Sequence, residues 1–215
     1  MSLARAGADP ADPRSGIGDT PPPPQPAYVG LGANLGDAPA TLAAAAQALA
    51  AVPGCRLLAL SPVYRSAPVD ATGPDFFNAV ARLDSHLDGP ALLAALQAIE
   101  QRFGRQRPYR HAPRTLDLDL LLLGTVQCHT KTLTLPHPRL HLRAFVLRPL
   151  LDLQADLTAP GLGALAAWLP ACADQRLSRL PANPPANPPA IRPAIAPAFP
   201  ALIPPASLPP GAAAS

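Results

Sequence analysis

The chain is almost without lysine: of its 17 basic residues sixteen are arginine, and Lys131 stands alone. Aromatic residues make up 4% of the 215, too few rings for a surface that stacks successive nucleic-acid bases. Cys55, Cys128 and Cys172 are the three cysteines, with no CxxC among them. An odd number at unrelated spacings builds neither a disulfide framework nor a zinc site, and fits a reducing compartment. No window approaches the roughly 18 uninterrupted apolar residues of a membrane span, and no apolar stretch follows Arg5 as a signal peptide requires. GxxxxGK[ST] and HExxH are both missing, which excludes the P-loop and the helical zinc pair. These absences predict a cytoplasmic protein with no membrane and no nucleic-acid partner.

Proline, by contrast, is plentiful and concentrated at the ends: residues 1–26 carry 7 of the 32 and residues 181–215 carry 12. Proline fixes φ and removes a backbone donor, so neither end can form regular helix or sheet. The expected organisation is a disordered N-terminal tail over 1–26, one domain over 27–172, and a disordered Pro/Ala-rich tail over 173–215. The net charge is only +3, yet eight of the sixteen arginines fall between Arg102 and Arg148. Such a cluster without a nucleic-acid motif suits a small polyanion such as a nucleotide.

Within the domain, AYVGLGANLGD reads as a short strand at 27–31 that breaks into a glycine-punctuated turn containing Asn34. Gly30, Gly32 and Gly36 give G-x-G-x-x-x-G, one residue too long for the dinucleotide fingerprint, so the turn reads as structural. Asp37 and Pro39 start an alanine-rich helix that Pro53-Gly54 ends. CRLLALSPVYRS reads as a second strand over 55–65, and DFFNAVARLDS, with alternating apolar residues, as a third over 76–85. Asp88-Gly89-Pro90 opens a helix with Leu92, Leu93, Leu96, Ile99 and Phe103 at helical spacing. The Arg-rich loop RQRPYRHAPR, the strand TLDLDLLLLG, a polar excursion and helices near 141–153 and 161–169 complete the chain. The order β-α-β-β-α-β predicts an α+β protein with a ferredoxin-like core and added C-terminal helices, in three α/β/α layers.

PRTLDLDLLLLG carries the chemistry. Side chains alternate along a strand, so Asp117 and Asp119 share a face about 6.6–7 Å apart, while Leu116, Leu118 and Leu120 face the core. Two like charges at that spacing repel unless a cation lies between them, and oxygen-only donors with phosphates suit Mg²⁺. A solvated edge strand would carry the same pair. Arg105, Arg107, Arg110 and Arg114 precede it, and the guanidinium fork matches phosphate oxygens. Metal plus arginine is the equipment of phosphoryl transfer. Downstream, LPHPRLHLRAFVLRPL supplies His137, Arg139, His141, Arg143 and Arg148. Pro138 disfavours a helical zinc pair of His137 and His141, leaving His137 as a phosphate donor or a structural residue. Other readings are a nucleotidyltransferase-like enzyme using Asp-x-Asp, and a non-enzymatic scaffold built on the proline-rich tails.

YVGLGANLGD, SPVYRS, PDFFNAV, PRTLDLDLLLLG and LPHPRLHLRAFVLRPL together resemble the 6-hydroxymethyl-7,8-dihydropterin pyrophosphokinases of folate biosynthesis, from about 27 to 169. The resemblance implies transfer of pyrophosphate from ATP to the pterin's hydroxymethyl oxygen, with release of AMP, by a protein expected to be a monomer. It implies that Asp117 and Asp119 hold two Mg²⁺ ions and that Arg105 and Arg114 act with them in catalysis. ATP would be held by Gln97, Glu100, Arg107, Leu120 (through its backbone), His137 and Arg143. The pterin would meet Ser66, Ala67, Val69, Phe76, Asn78 and Phe145, with Tyr109 a further ring of the Arg-rich loop. Ser66, Asp70 and Leu142 stand where the family often has threonine, glycine and a polar residue.

Overall fold

The computed structural model describes residues 23–67, 74–104 and 115–181. In chain order it contains β1 (Gln25–Ala33), α1 (Ala38–Ala50), β2 (Cys55–Leu60), β3 (Tyr64–Ser66), β4 (Phe76–Ser85), α2 (Gly89–Arg102) and β5 (Asp117–Leu123). A small hairpin of β6 (Cys128–His129) and β7 (Thr134–Leu135) follows, then α3 (Ala144–Leu153), the pair β8 (Thr158–Ala159) and β9 (Gly163–Ala164), and β10 (Leu177–Arg179).

The helix starts are written in the sequence. Asp37 Oδ1 accepts the Ala40 N–H at 3.1 Å and Asp88 Oδ1 the Ala91 N–H at 2.8 Å, each satisfying a donor that the first helical turn leaves open. Both helices begin with proline in the first turn, where its missing N–H costs nothing. Gly54 and Gly104, at φ 78° and 74°, take the left-handed backbone after the two helices.

The sheet runs β10-β3-β4-β1-β5, with β2 beside β3 along the other part of β4. β1 pairs antiparallel with β4 from Gln25↔Ser85 to Ala33↔Phe77, and antiparallel with β5 on its other side. The architecture is therefore mixed helix and antiparallel sheet. Four local expectations change. The helix read over 161–169 is instead β9 at Gly163–Ala164 followed by a 3-10 helix at Leu165–Cys172, which contains Pro170 with no N–H to give. The strand read over 55–65 is two strands, because Pro62 has no N–H for the ladder, while Ser61 next to it still bonds Val80 through both backbone and hydroxyl at 2.9 Å. β1 continues to Ala33, so Gly32 lies inside a central strand rather than in the turn after it. Residues 177–179, within the stretch read as tail, form β10 on β3, held by Gln175, which accepts from Ala144 N at 2.8 Å and donates to Leu142 O at 2.9 Å.

The two faces of the sheet bury separate apolar clusters. Val29, Leu31, Ala79, Ala81, Leu83, Leu118 and Leu120 pack under Leu42 and Leu49 of α1 and Leu92, Leu96 and Ile99 of α2. Tyr28, Val80, Leu121 and Leu122 pack on the other face against Leu140, Leu147, Leu150 and Leu165. A register shift between Tyr28 and Val29 against β5 lets both Leu121 and Leu122 join this second cluster. Each fully buried leucine contributes about 1.5–3 kcal/mol. The second cluster involves the Leu121 end of β5, not Asp117 and Asp119.

Candidate active site

Along the start of β5 the accessibility alternates as the pattern DLDL requires: Asp117 and Asp119 are partly exposed while Leu116, Leu118 and Leu120 are buried. Leu120 therefore offers a site only its backbone. The register places Gly32 of β1 opposite Asp117, and Gly30 opposite Asp119. On the far side of β1, Gly32 faces Asn78 and Gly30 faces Val80 of β4. Register partners share a face, so Asp117, Gly32 and Asn78 form one row across three strands. Tyr64 of β3, the partner of Asn78, extends it.

At the β4 end of this row, the buried Asn78 donates from Nδ2 to Ser66 Oγ at 3.1 Å, a bond between two buried side chains. That bond fixes the amide's rotation. Phe76, two residues earlier and opposite Ser66, is half-buried on the same face. Ala67 follows β3 and is exposed. Asp75, at the start of β4, pairs with Arg65 of β3 at 2.6 Å, tying the two strands beside this end.

At the β5 end, Arg143 Nη1 lies 4.0 Å from Asp119 Oδ2, and its guanidinium carbon is 5.5 Å from the centre of the Phe145 ring, within cation–π range. Both residues sit at the start of α3. The His137 N–H donates to Leu121 O at 2.9 Å, holding that segment against β5. His137 Nδ1 accepts the Arg139 N–H at 3.2 Å, which leaves the proton of a neutral ring on Nε2. Burial pushes His137 below the ordinary histidine range; the Asp119 carboxylate pulls it back up, and Arg143 and Arg139 push it further down. Asp117, Asp119, His137 and Arg143 thus form one electrostatic cluster.

The two ATP candidates on α2 separate. Gln97 is exposed. Glu100 is 1% exposed, and its Oε1 accepts the Leu118 N–H at 2.8 Å; its carboxylate holds the strand between the two aspartates. Leu142 is 54% exposed. Arg105, Arg107, Arg114, Val69, Asp70 and Tyr109 lie outside the described residues. The row through Gly32 escaped the sequence reading, although GLG and DLD share the two-residue spacing of partners on one face.

The donor set fits a hard cation. Among the described residues no group of three or more His, Cys, Asp or Glu side chains could hold a metal, so a cation at Asp117 and Asp119 would need further oxygens from elsewhere. Magnesium is commonly held in this way, by one or two carboxylates with substrate phosphates.

An antiparallel sheet with helical cover, bearing paired carboxylates and cations at one end of a row and an amide beside a ring at the other, is an α+β arrangement whose charges suit phosphoryl-group transfer. The particular family follows from comparison: the chain belongs to the 7,8-dihydro-6-hydroxymethylpterin-pyrophosphokinase family, whose model matches residues 28–155. The 2-amino-4-hydroxy-6-hydroxymethyldihydropteridine pyrophosphokinase of Pseudomonas aeruginosa is 46% identical over 155 residues, 72% of this chain and 96% of its own. The Haemophilus influenzae protein of the same name is 37% identical over 155 residues, covering 72% and 97%. Among solved structures, HPPK-DHPS in complex with substrates superposes with a TM-score of 0.56 at 13% identity over 71% of this chain. This chain spans 44% of that one, and the likeness concerns the fold.

Proposed function

We propose that the row Asp117–Gly32–Asn78 is where this chain performs the reaction of its family, transfer of the pyrophosphoryl group from ATP to 6-hydroxymethyl-7,8-dihydropterin with release of AMP. The observation that carries the reading is the pairing of Asp117 and Asp119 on one accessible face with Arg143 4.0 Å from Asp119, in a chain 46% identical to a named pyrophosphokinase. The scaffold is read as a ferredoxin-like core with C-terminal additions that reach β10, acting as a cytoplasmic monomer.

In this reading the pterin's donor–acceptor edge meets Asn78, whose amide can both donate and accept, with Ser66, Ala67 and Val69 beside it. Phe76 and Phe145 flank the ring, a stacking arrangement that suits a flat heterocycle. The hydroxymethyl oxygen attacks the β-phosphorus in line, and the bond from that phosphorus to the oxygen it shares with the α-phosphate breaks to give AMP. The protein's part is positioning and charge neutralisation. Arg143, Arg105, Arg107 and Arg114 carry positive charge to the triphosphate, and His137 donates from Nε2. Gln97 contacts the nucleotide from α2, as does the backbone of Leu120. Glu100 acts on ATP by fixing β5. Two Mg²⁺ ions, held by Asp117 and Asp119, would neutralise phosphate charge and acidify the attacking hydroxyl.

The test is AMP formation by the purified full chain with ATP and Mg²⁺. AMP should appear only when the hydroxymethyl dihydropterin is added. Pterin-independent AMP, or none with both substrates present, would sink the reading.

A further inference from the structure

Gly32 is a glycine for which the protein itself gives no reason. It lies inside a central strand, where glycine forfeits packing and backbone entropy. Its backbone is not left-handed: positive φ among the described glycines is confined to Gly36, Gly54, Gly104, Gly124, Gly161 and Gly163. Packing does not exclude a side chain either. A Cβ at 32 would meet, among the described residues, only Asn78 Oδ1, at 3.4 Å. Gly89 shows what a packing reason looks like, since a Cβ there would lie 2.8 Å from Leu133 Cδ2. Gly30, on the same strand and face as Gly32, is covered by Leu121, whose side chain would stand 3.5 Å from its Cβ, an ordinary contact.

What distinguishes Gly32 is its place. Its register partners are Asn78 on one side and Asp117 on the other, each about 4.8 Å away across the sheet. A ligand that touches the amide and also delivers an atom to the carboxylates must cross β1 at this position. We infer that Gly32 determines pterin specificity: its missing side chain lets the ring lie against the β1 backbone between Asn78 and Asp117. This rests on the pyrophosphokinase reading above and adds a residue to it. A methyl at 32 would stand in the volume the ring occupies, while leaving the nucleotide and the fold alone.

The experiment compares Gly32→Ala, Gly30→Ala and wild type by titration calorimetry. Each is titrated with 6-hydroxymethyl-7,8-dihydropterin in the presence of Mg²⁺ and a non-hydrolysable ATP analogue, and separately with the analogue alone. Gly32→Ala should weaken pterin binding by about tenfold or more, the scale of overpacking a fitted site. Its affinity for the ATP analogue should match wild type, and its unfolding temperature should be equal or higher, because alanine restricts the unfolded chain. Gly30→Ala should keep pterin affinity within about twofold, as its methyl meets Leu121 in ordinary contact. Wild-type pterin affinity in Gly32→Ala would overturn the inference, and so would an equal loss in Gly30→Ala. Failure of Gly32→Ala to fold would also overturn it, since the protein would then need glycine there for itself. A wild-type protein that binds no pterin would instead defeat the functional reading.

Discussion

Glu100 Oε1 accepts the backbone N–H of Leu118 at 2.8 Å, a bond buried between α2 and the outer strand of the sheet. Leu118 sits between Asp117 and Asp119. An outer strand has one edge without a neighbour, and here a carboxylate from the helix takes a neighbour's place, fixing the stretch of backbone from which both aspartates project. Glu100→Ala leaves that buried N–H without this acceptor and should cost about 1–3 kcal/mol in urea unfolding. Glu100→Gln keeps an oxygen acceptor and should cost less than Glu100→Ala. Equal stability of Glu100→Ala and wild type would show that the bond does not hold the strand.

Asp117→Ala and Asp119→Ala should each lower turnover by roughly a thousandfold or more, since metal-bound carboxylates supply several kcal/mol of transition-state stabilisation. Neither should destabilise the fold, because both side chains are partly exposed and removing one relieves like-charge repulsion. Steady-state AMP production and thermal unfolding, measured side by side, check the two halves. Removing divalent metal from wild type with a chelator should abolish turnover, and added Mg²⁺ should restore it.

Asn78→Ala should weaken pterin binding by about ten- to a hundredfold, the cost of leaving buried polar groups of substrate and Ser66 without their partner. Nucleotide affinity should hold, because Asn78 lies two strands from Asp117. Separate KM values for the two substrates read this directly, and a rise confined to ATP would reverse the assignment of the two ends.

Tyr64 donates from its hydroxyl to Asp152 Oδ2 at 2.6 Å, tying β3 to α3. Burial first, and then the bond to Asp152, push its pKa up to about 12, with Arg179 and Arg148 opposing. The folded value lies above the ordinary 10 of an unfolded chain, so the neutral phenol's contribution is complete below pH 10. It is lost as pH climbs from about 10 to about 12, amounting to about 2–3 kcal/mol. In Tyr64→Phe this part of the alkaline decline should vanish, at a cost near neutral pH of about 1–3 kcal/mol. Urea unfolding of both proteins from pH 8 to 12 gives the comparison, and parallel curves would contradict it.

Much of this protein is determined locally and can be read without the structure. Asp37 and Asp88 cap their helices because an aspartate before proline and an apolar helical period has little else to do. DLDL alternates because a strand has period two, and that alone puts both aspartates on one face. The third strand, Phe76–Ser85, has the expected bounds. Other features depended on pairing between distant segments. Pro62 splits a strand whose apolar pattern is continuous, and the join is visible only because β4 is long enough to pair with both halves. β10 was hidden in a stretch classed as tail because three residues of strand have no periodicity to detect. GLG, which locally resembles a turn, is kept in the sheet by partners on both sides. Glu100, a helix-surface residue by its chemistry, is buried because β5 needs an acceptor at its open edge. Local pattern thus assigns each of these elements its faces. That Gly32 lies between Asn78 and Asp117 follows from the pairing of distant strands, because register joins Gly32 to residues 46 and 85 positions away that no local pattern connects.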